Sequence, residues 1–381
     1  MFIVCFIEAH TLISRTAVII MIFKKYFENK VVIVTGHTGF KGSWLCNWLI
    51  SLGAEVVGIS NGIPSSPSNY KASLISKNIK DYMLDIRDGE KVKEVISEIQ
   101  PDYIFHLAAQ ALVVPSYKSP VETYSTNTLG TVHVLDAMRY LKKQVVAIMI
   151  TSDKAYDNVE WVWGYRETDR LGGKDPYSAS KGMAELAIRS YVDSFFGKND
   201  SNIRIGIARA GNVIGGGDWA EDRIIPDCVR SWSKGKSVDI RSPNATRPWQ
   251  HVLEPLGGYL LLASRLSVSK DFHGEAYNFG PSLTCNYSVS DLINEMSKYW
   301  DSVLWRNISE KNDDVHEAKL LKLNCDKVEF DLGWRSLLTY EDTVKMTSEW
   351  YREFYKGSDI NMISTCQIQK YSKLLNQELK I

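Results

Sequence analysis

The chain has 381 residues, 44% of them hydrophobic, and its 45 basic side chains are balanced by 45 acidic ones. This composition is typical of a globular protein with one large or two modest domains, and it excludes disorder, a collagen-like repeat and a coiled coil. Zero formal net charge gives no general attraction for nucleic acid or for an anionic membrane. We therefore expect a small ligand that is held by a local site.

Residues 1–22 contain an apolar stretch that is interrupted by Glu8, His10 and Arg15 and that lacks the features of a signal peptide. We interpret them as a non-essential N-terminal extension, with a membrane-associated helix as the alternative. Six cysteines are scattered along the chain without a Cys-x-x-Cys motif and without histidines at metal-ligand spacing. They indicate reduced thiols in a cytoplasmic protein and no metal site.

Apolar, β-branched runs alternate with amphipathic helical stretches along the first half of the chain. The runs are VVIVTG at 31–36, AEVVGIS at 54–60, YIFHLAA at 103–109, VVAIMITS at 145–152 and IRIGIARAG at 203–211. Such runs predict a parallel sheet that is buried on both faces, which is a Rossmann-type doubly wound α/β fold with a smaller C-terminal α/β substrate-binding region.

The change of pattern after residue 211 predicts how the chain divides into domains. We expect a dinucleotide-binding domain made of residues 23–211 and 251–280, and a ligand-binding domain made of residues 212–250 and 281–357. Residues 358–381 form a polar tail, which we expect to fray.

The motif TGHTGFKG lies between the first predicted strand and a predicted helix. Its glycines allow a tight turn and a close approach of the backbone to a pyrophosphate, and the helix N-terminus offers free N–H groups. We therefore predict a dinucleotide site, with a plain glycine-rich turn as the alternative. Its residues are Gly36, Thr38, Gly39, Phe40 and Gly42.

The second strand ends without the acidic residue that is expected about 20 positions after the glycines to bind the adenosine ribose. Ser60 or Asn61 is left to substitute for it. No arginine stands there to bind a 2′-phosphate, so NAD is favoured over NADP.

Other cofactor candidates stand where later strands end and where a helix is interrupted by polar residues. They are Asp85, Ile86, Leu107, Ala108, Ala109 and Thr126. Asp85 either accepts a hydrogen bond from the adenine amino group or caps the helix that begins near Asp88. Asn127 either supports a catalytic water chain or satisfies a backbone group.

Tyr177 and Lys181 stand four residues apart in PYSASKGMAE, so on a helix they share one face. We expect the Lys181 ammonium to lower the pKa of the Tyr177 phenol, which makes the phenol a base for a sugar hydroxyl. Ser152, Asp153 and Lys154 supply a second acid/base couple, or else form an ordinary polar strand end. A catalytic couple requires a protonated Asp153, a neutral Lys154 and a fold that points them to different sides.

The motifs TGHTGFKG, HLAAQ, TSDKAY, DPYSASK, ARAGNVIGGGDW and ATRPWQHVLEPLGGYL together resemble the extended short-chain dehydrogenase/reductase superfamily. Within it they are similar to the nucleotide-sugar 4,6-dehydratases, from about residue 24 to about residue 355. Relatives that act on dTDP-glucose carry Thr-Asp-Glu where this chain has Ser152, Asp153 and Lys154. The lysine points to the branch that acts on CDP-glucose. The segment at 111–117 departs from the family pattern, which has a proline near Ala111 and an arginine near Val114.

The resemblance implies NAD-dependent conversion of CDP-glucose to CDP-4-keto-6-deoxyglucose, which feeds deoxysugar synthesis for bacterial surface polysaccharide. It implies that Tyr177 and Lys181 serve oxidation at C4, with Ser152 on the C4 oxygen. Asp153 and Lys154 are then the acid and the base for loss of water across C5 and C6, before hydride returns to C6. The resemblance also implies a homodimer. The substrate-binding residues that we expect are Gln110, Ser152, Asn212, Arg223 and Arg247.

Two other functions stay open. A nucleotide-sugar 4-epimerase shares Tyr177 and Lys181 but needs no acid/base couple for C5 and C6. A non-catalytic dinucleotide-binding protein would be expected to have lost one of that pair. Stacking on cytosine and filling of the core are the alternatives for Trp161, Trp163 and Trp219.

Overall fold

The computed structural model describes residues 21–197, 201–308 and 320–379. The interpretation of residues 1–22 as an extension concerns positions outside this described part, apart from Met21 and Ile22, which begin a helix. Within the described residues, no helix is both long enough and apolar enough to cross a membrane.

The central sheet has seven strands, and every neighbouring pair is parallel. The strands are β1 Val31–Thr35, β2 Glu55–Ser60, β3 Lys80–Met83, β4 Tyr103–His106, β5 Val145–Ile150, β6 Ile203–Ala210 and β11 Ala276–Phe279. Their order is β11-β6-β5-β4-β1-β2-β3, so the direction of winding reverses between β1 and β4. The predicted doubly wound fold is therefore confirmed.

Alternate residues of the strands enter two hydrophobic clusters on opposite faces of the sheet. In β1, Val32 and Val34 belong to one cluster and Ile33 belongs to the other. In β5, Ile148 and Met149 divide in the same way. Because both faces are covered, residues of both phases are apolar, which explains the near-continuous β-branched runs in the sequence.

Helices cover both faces of this sheet. The helices of the described residues are α1 Met21–Phe27, α2 Phe40–Ser51, α3 Asn69–Ala72, α4 Gly89–Ile99, α5 Val113–Lys118, α6 Pro120–Tyr124, α7 Gly130–Met138, α8 Pro176–Tyr191, α9 Ile224–Trp232, α10 Leu253–Val268, α11 Val289–Met296, α12 Asp326–Leu332, α13 Tyr340–Tyr355 and α14 Ile360–Glu378. Buried residues of α1, α2, α10 and α14 join one cluster, and buried residues of α4, α7 and α8 join the other.

Short strands pair two by two beyond the carboxyl ends of the central strands. They are β7 Val213–Ile214 with β10 Gln250–His251, β8 Val238–Ile240 with β13 Trp305–Asn307, and β9 Thr246–Arg247 with β12 Tyr287–Ser288. Trp232 and Leu292 of this region are buried in the same cluster as Val32 of the central sheet. The division of the chain into two domains stays a prediction.

The expectation that the C-terminal tail frays is wrong, because Ile360–Glu378 forms α14. Ile368, Tyr371 and Leu375 lie on one face of this helix and are buried. The Tyr371 ring meets the Trp48 ring edge to face at 5.8 Å, and its hydroxyl donates to Glu254 at 2.8 Å. The polar composition of the tail conceals a single apolar stripe that docks on α2 and α10.

Candidate active site

The glycine-rich loop between β1 and α2 lies against the backbone at the carboxyl end of β4. Gly36 has φ +73°, and a Cβ there would stand 2.8 Å from the Ala108 nitrogen and 2.9 Å from the Leu107 carbonyl carbon. A Cβ at Gly42 would stand 2.2 Å from the Gly36 oxygen. Since α2 begins at Phe40 without a side-chain cap, its first N–H groups and the loop form a cradle that fits a pyrophosphate.

At the end of β2, Ser60 stands where a ribose-binding carboxylate is expected. Its Oγ lies 3.0 Å from His37 Nδ1, and His37 Nε2 lies 3.0 Å from an Asp81 oxygen. Burial lowers the pKa of His37. Thr38 Oγ1 donates to the Gly62 carbonyl at 2.6 Å. His37 thus packs and forms hydrogen bonds behind the loop, as the shape of the loop requires.

Asp85 faces the same end of the sheet after β3. Asn61 Nδ2 donates to it at 3.2 Å, and hydrogen bonds from Arg87 lower its pKa to about 2. The alternative in which Asp85 caps the following helix is wrong, because the side chain of Asp88 accepts the first-turn N–H of α4. Ile86 is buried in the cluster beneath α7.

Asn127 holds the segment after β4 against α8. Its Oδ1 accepts from the Gln110 N–H at 2.8 Å, and its Nδ2 donates to the Gln110 carbonyl at 3.0 Å and to Ser180 Oγ at 2.8 Å. It therefore satisfies backbone groups, while its part in a catalytic water chain stays a prediction. Thr126 is half-buried in the same turn, and Leu107, Ala108 and Ala109 are half-buried after β4.

The predicted catalytic pair lies at the start of α8, which the side chain of Asp175 caps. Tyr177 and Lys181 are 8% and 7% exposed. Burial raises the pKa of Tyr177 to about 12, although the nearby Ser152 hydroxyl and the charge of Arg223 act to lower it. Burial also lowers the pKa of Lys181 to about 8. The expectation of a lowered phenol pKa is therefore wrong, because desolvation outweighs the neighbouring cations.

The Ser-Asp-Lys motif forms a 3-10 turn directly after β5. Ser152 Oγ donates to Asp153 Oδ1 at 2.9 Å and accepts from the Lys154 N–H at 3.2 Å. Burial raises the pKa of Asp153, whose other carboxylate oxygen would stand 3.1 Å from a Cβ at Gly211. Among the ion pairs of the described residues, none joins Asp153 to Lys154. The charge of Lys154 acts to lower the Asp153 pKa against the effect of burial, so the two groups interact, and the requirement that they point to different sides stays a prediction.

Lys41 is a site residue that the sequence analysis missed. It belongs to the first turn of α2, and its ammonium interacts with the charges of Arg223, Asp153 and Lys181. Burial, more than the neighbouring cations, lowers its pKa to about 8. A lysine inside the glycine motif, between Phe40 and Gly42 on the first turn of α2, is the signal that could have identified it.

The predicted substrate residues lie in three separate segments. Arg223 precedes α9, donates to Asp218 at 2.6 Å and comes close enough to Tyr177 to lower its pKa. Asn212 follows β6, and its carbonyl accepts a hydrogen bond from β10 at 3.3 Å. Arg247 lies in β9 and donates to the preceding carbonyl at 2.8 Å. The structure brings Arg223 to the catalytic pair, whereas the roles of Asn212 and Arg247 stay predictions.

A cavity opens beside Asp153. It is lined by Gly211, Pro248, Gly280–Leu283, Cys285 and Leu321–Leu323. The two later segments could not be identified from the sequence, because no motif marks them. For Gly280–Leu283, the only signal is its position after the carboxyl end of β11, which is the edge where an α/β sheet binds ligands.

The tryptophans differ in their surroundings. Trp219 fills the core, with its ring centroid 4.7 Å from that of Phe354. Trp161 packs against Tyr165 at 5.1 Å, and Trp163 is exposed.

In the part of the chain that the structure describes, no group of three or more His, Cys, Asp or Glu side chains could hold a metal ion.

Comparisons with known proteins identify a family and relatives that this chain resembles. Residues 33–347 match the family model of GDP-mannose 4,6 dehydratase. CDP-glucose 4,6-dehydratase of Salmonella typhimurium is 44% identical over 92% of this chain and 98% of its own. UDP-glucose 4-epimerase of Mycoplasma genitalium is 23% identical over 86% of this chain and 98% of its own.

Solved structures share the fold. The dTDP-glucose 4,6-dehydratase of Streptomyces venezuelae, with NAD and TYD bound, has a TM-score of 0.72 at 22% identity and covers 87% of this chain and 99% of its own. The UDP-glucose 4-epimerase of Thermotoga maritima, with UDP-glucose, has a TM-score of 0.72 at 23% identity and covers 85% of this chain and 99% of its own. The chain therefore belongs to the GDP-mannose 4,6 dehydratase family of the extended short-chain dehydrogenase/reductase superfamily.

Proposed function

We propose that this protein is an NAD-dependent CDP-glucose 4,6-dehydratase. The observation that carries the proposal is the position of Ser152 between two chemical groups. Its hydroxyl donates to Asp153 at 2.9 Å and also lies close enough to the Tyr177 phenol to lower the phenol pKa. An oxidation site and an acid for the loss of water therefore meet at one buried hydroxyl. The 44% identity to a CDP-glucose 4,6-dehydratase supports this substrate.

The residues present fit NAD. The close approach of Gly36 to Leu107 and Ala108 leaves a backbone cradle for the pyrophosphate, and Lys181 stands at the reacting end. When bound, NAD accepts hydride from C4 of the sugar and returns it to C6. Asp85 and Asn61 are available at the adenosine end, where they already share a hydrogen bond of 3.2 Å.

The side chains of the chain itself move the protons. We propose that Tyr177 takes the C4 hydroxyl proton, with Ser152 bonded to the same sugar oxygen and Lys181 supplying positive charge. The resulting ketone acidifies the C5 proton, which Lys154 removes. Asp153, whose pKa burial raises, donates a proton to the departing C6 hydroxyl, and water leaves. C5 takes up a proton again when hydride returns to C6.

The nucleotide half of the substrate requires a separate anion site. We propose that Arg247, Arg223 and Asn212 bind the diphosphate, since a guanidinium matches pairs of phosphate oxygens. Gln110 is proposed on the sugar side of the cavity. The product then feeds deoxysugar synthesis for bacterial surface polysaccharide, such as the O-antigen of lipopolysaccharide.

We also propose a cytoplasmic homodimer. Val121, Leu129, Met183 and Leu186 are 80%, 53%, 46% and 57% exposed and lie on α6, the following turn and α8. Such apolar side chains on neighbouring helices suit a symmetric contact between two copies. The five cysteines among the described residues form no disulfide, which suits a reducing compartment.

Incubation of the purified protein with CDP-glucose and NAD tests the function. We expect a product that is lighter by one water, absorbs in alkali as a 4-keto sugar, and carries solvent deuterium at C5. Lys154→Ala should abolish this product, whereas Lys234→Ala, at an exposed position outside the site, should not. If the product is instead a C4 epimer of unchanged mass, the protein is an epimerase. If there is no turnover, the protein is a non-catalytic dinucleotide-binding protein.

A further inference from the structure

A buried ion pair lies beneath the catalytic residues. Glu185 follows Lys181 by four residues on α8, so both side chains are on one face of the helix. Arg209 is the penultimate residue of β6. Its Nε donates to Glu185 Oε1 at 2.7 Å and its Nη2 donates to Glu185 Oε2, and both side chains are 0% exposed.

This pair holds the Ser-Asp-Lys turn at both ends. Thr151, directly before the turn, donates to Glu185 at 2.7 Å. Tyr156, directly after it, accepts a hydrogen bond from Arg209 at 2.6 Å, and the guanidinium lies 4.7 Å from the centre of the Tyr156 ring. The turn Asp153–Ala155 is therefore bracketed by two side chains that are bonded to the same pair.

The same network reaches the walls of the cavity. The Tyr156 hydroxyl donates to Asn278 at 2.8 Å, and Asn278 donates to the Asn324 carbonyl at 3.0 Å. Asn278 belongs to β11, which leads into Gly280–Leu283, and Asn324 follows Leu321–Leu323. Both segments that line the cavity beside Asp153 are thus tied to the ion pair.

Charge is a second link between the pair and the chemistry. The Glu185 carboxylate is the group that raises the pKa of Lys181, against burial that lowers it to about 8. The other titratable groups around Lys181 are Lys41 of α2, His106 of β4 and Tyr177 of its own helix. None of these three groups is a carboxylate, whereas Glu185 is a carboxylate on the same face of α8 as Lys181.

We propose that Glu185 and Arg209 act as a positioning pair for dehydration, an inference that rests on the proposed function. The pair fixes the acid/base turn against α8, and its carboxylate keeps Lys181 charged near neutral pH. Stability alone does not require this arrangement, since a buried ion pair is often replaceable by apolar side chains without loss of stability. Neither residue touches the substrate in this proposal.

Glu185→Gln tests the charge directly, because the side chain keeps its shape. The readout is acetylation of Lys181 by acetic anhydride across a pH series, quantified by mass spectrometry. A fall of the Lys181 pKa from about 8 to about 7 would raise its labelling at pH 7 about fivefold. The limb on which activity falls with rising pH should move to lower pH by the same amount.

The matched control is Glu254→Gln, which removes another carboxylate that is 0% exposed. Glu254 bonds to the Leu337 and Leu338 N–H groups and to Tyr371, on the side of the molecule where α14 docks. This variant should change stability yet leave the labelling of Lys181 and the pH profile as in the parent. A pH shift of equal size in Glu254→Gln would overturn the proposal.

Thr151→Val keeps the pair and its charge but removes one of the two links to the turn, so it stays informative if Glu185→Gln does not fold. Because displacement of a catalytic group by a fraction of an ångström slows chemistry, we expect kcat to fall about tenfold with KM for CDP-glucose unchanged. Lys181 labelling should not change. Parent-like kcat in this variant, or parent-like labelling in Glu185→Gln, would overturn the proposal.

Dehydration of CDP-glucose and acetylation of Lys181 are separate measurements, so they distinguish a failure of the proposed function from a failure of the positioning pair. If the parent protein does not dehydrate CDP-glucose, the proposed function fails, while the labelling of Lys181 still shows whether Glu185 holds its charge. If the parent turns over and Glu185→Gln has parent-like labelling, the positioning pair fails and the proposed function stands.

Discussion

Gly36→Ala is expected to disrupt the cofactor loop for two separate reasons. The residue has φ +73°, which places an alanine in the left-handed region. The new Cβ would also stand 2.8 Å from the Ala108 nitrogen and 2.9 Å from its Cα. Both contacts are with backbone atoms at the end of β4, so no flexible side chain can move to relieve them.

The two effects have different magnitudes. A left-handed backbone costs an alanine about 1 to 2 kcal/mol. Forcing a methyl group into a packed contact adds about 1 to 3 kcal/mol. We therefore expect the free energy of unfolding to fall by about 3 kcal/mol, and the dissociation constant for NAD to rise at least about tenfold because the loop moves away from β4.

Gly235→Ala separates the two effects. Gly235 has φ +64°, but a Cβ there meets no heavy atom within 4 Å. This control should lose only about 1 to 2 kcal/mol in urea unfolding and should bind NAD as the parent does in calorimetry. If Gly36→Ala is no less stable than Gly235→Ala and binds NAD equally well, the close approach of loop and strand has no energetic role.

Two further outcomes follow from the contacts. In Gly211→Ala the new Cβ would stand 3.1 Å from Asp153 Oδ2, so the rate of water loss should fall, while NAD affinity measured by calorimetry stays the same. Burial raises the pKa of Glu254 to about 7 from 4.5, so its ionisation destabilises the native state as the pH rises. Glu254→Gln should therefore gain about 2 to 3 kcal/mol on the parent in urea unfolding between pH 5 and pH 8, and a constant difference would contradict this linkage.

The sheet and the cofactor loop could be predicted because their signals are local. A strand that is buried on both faces must be apolar at successive positions, as in Val31–Thr35, and a glycine loop must carry its glycines in place. The C-terminal helix could not be predicted in this way. The helix is stabilised by contacts of Tyr371 with Trp48 and Glu254, which are far away in the chain, so the local sequence does not reveal them.

The cavity walls show the same limit. Gly280–Leu283 and Leu321–Leu323 are joined through Asn278, whose side chain bonds to the Tyr165 and Asn324 carbonyls at 2.8 and 3.0 Å. Neither segment contains a sequence motif that indicates a ligand. Lys41 differs, because its place inside the glycine motif, on the first turn of α2, could have identified it from the sequence.

Burial has opposite consequences for the two halves of the proposed reaction. It raises the pKa of Asp153, which favours the protonated acid that water loss requires, and it raises the pKa of Tyr177 to about 12, which opposes the base that oxidation requires. The spacing of Tyr177 and Lys181 alone therefore does not make a base. Arg223 lowers the phenol pKa, and Lys41 brings a further cation to the same pocket. Burial must therefore keep the Asp153 pKa high while nearby cations lower the Tyr177 pKa again. A buried pocket can serve both steps only if it meets both conditions.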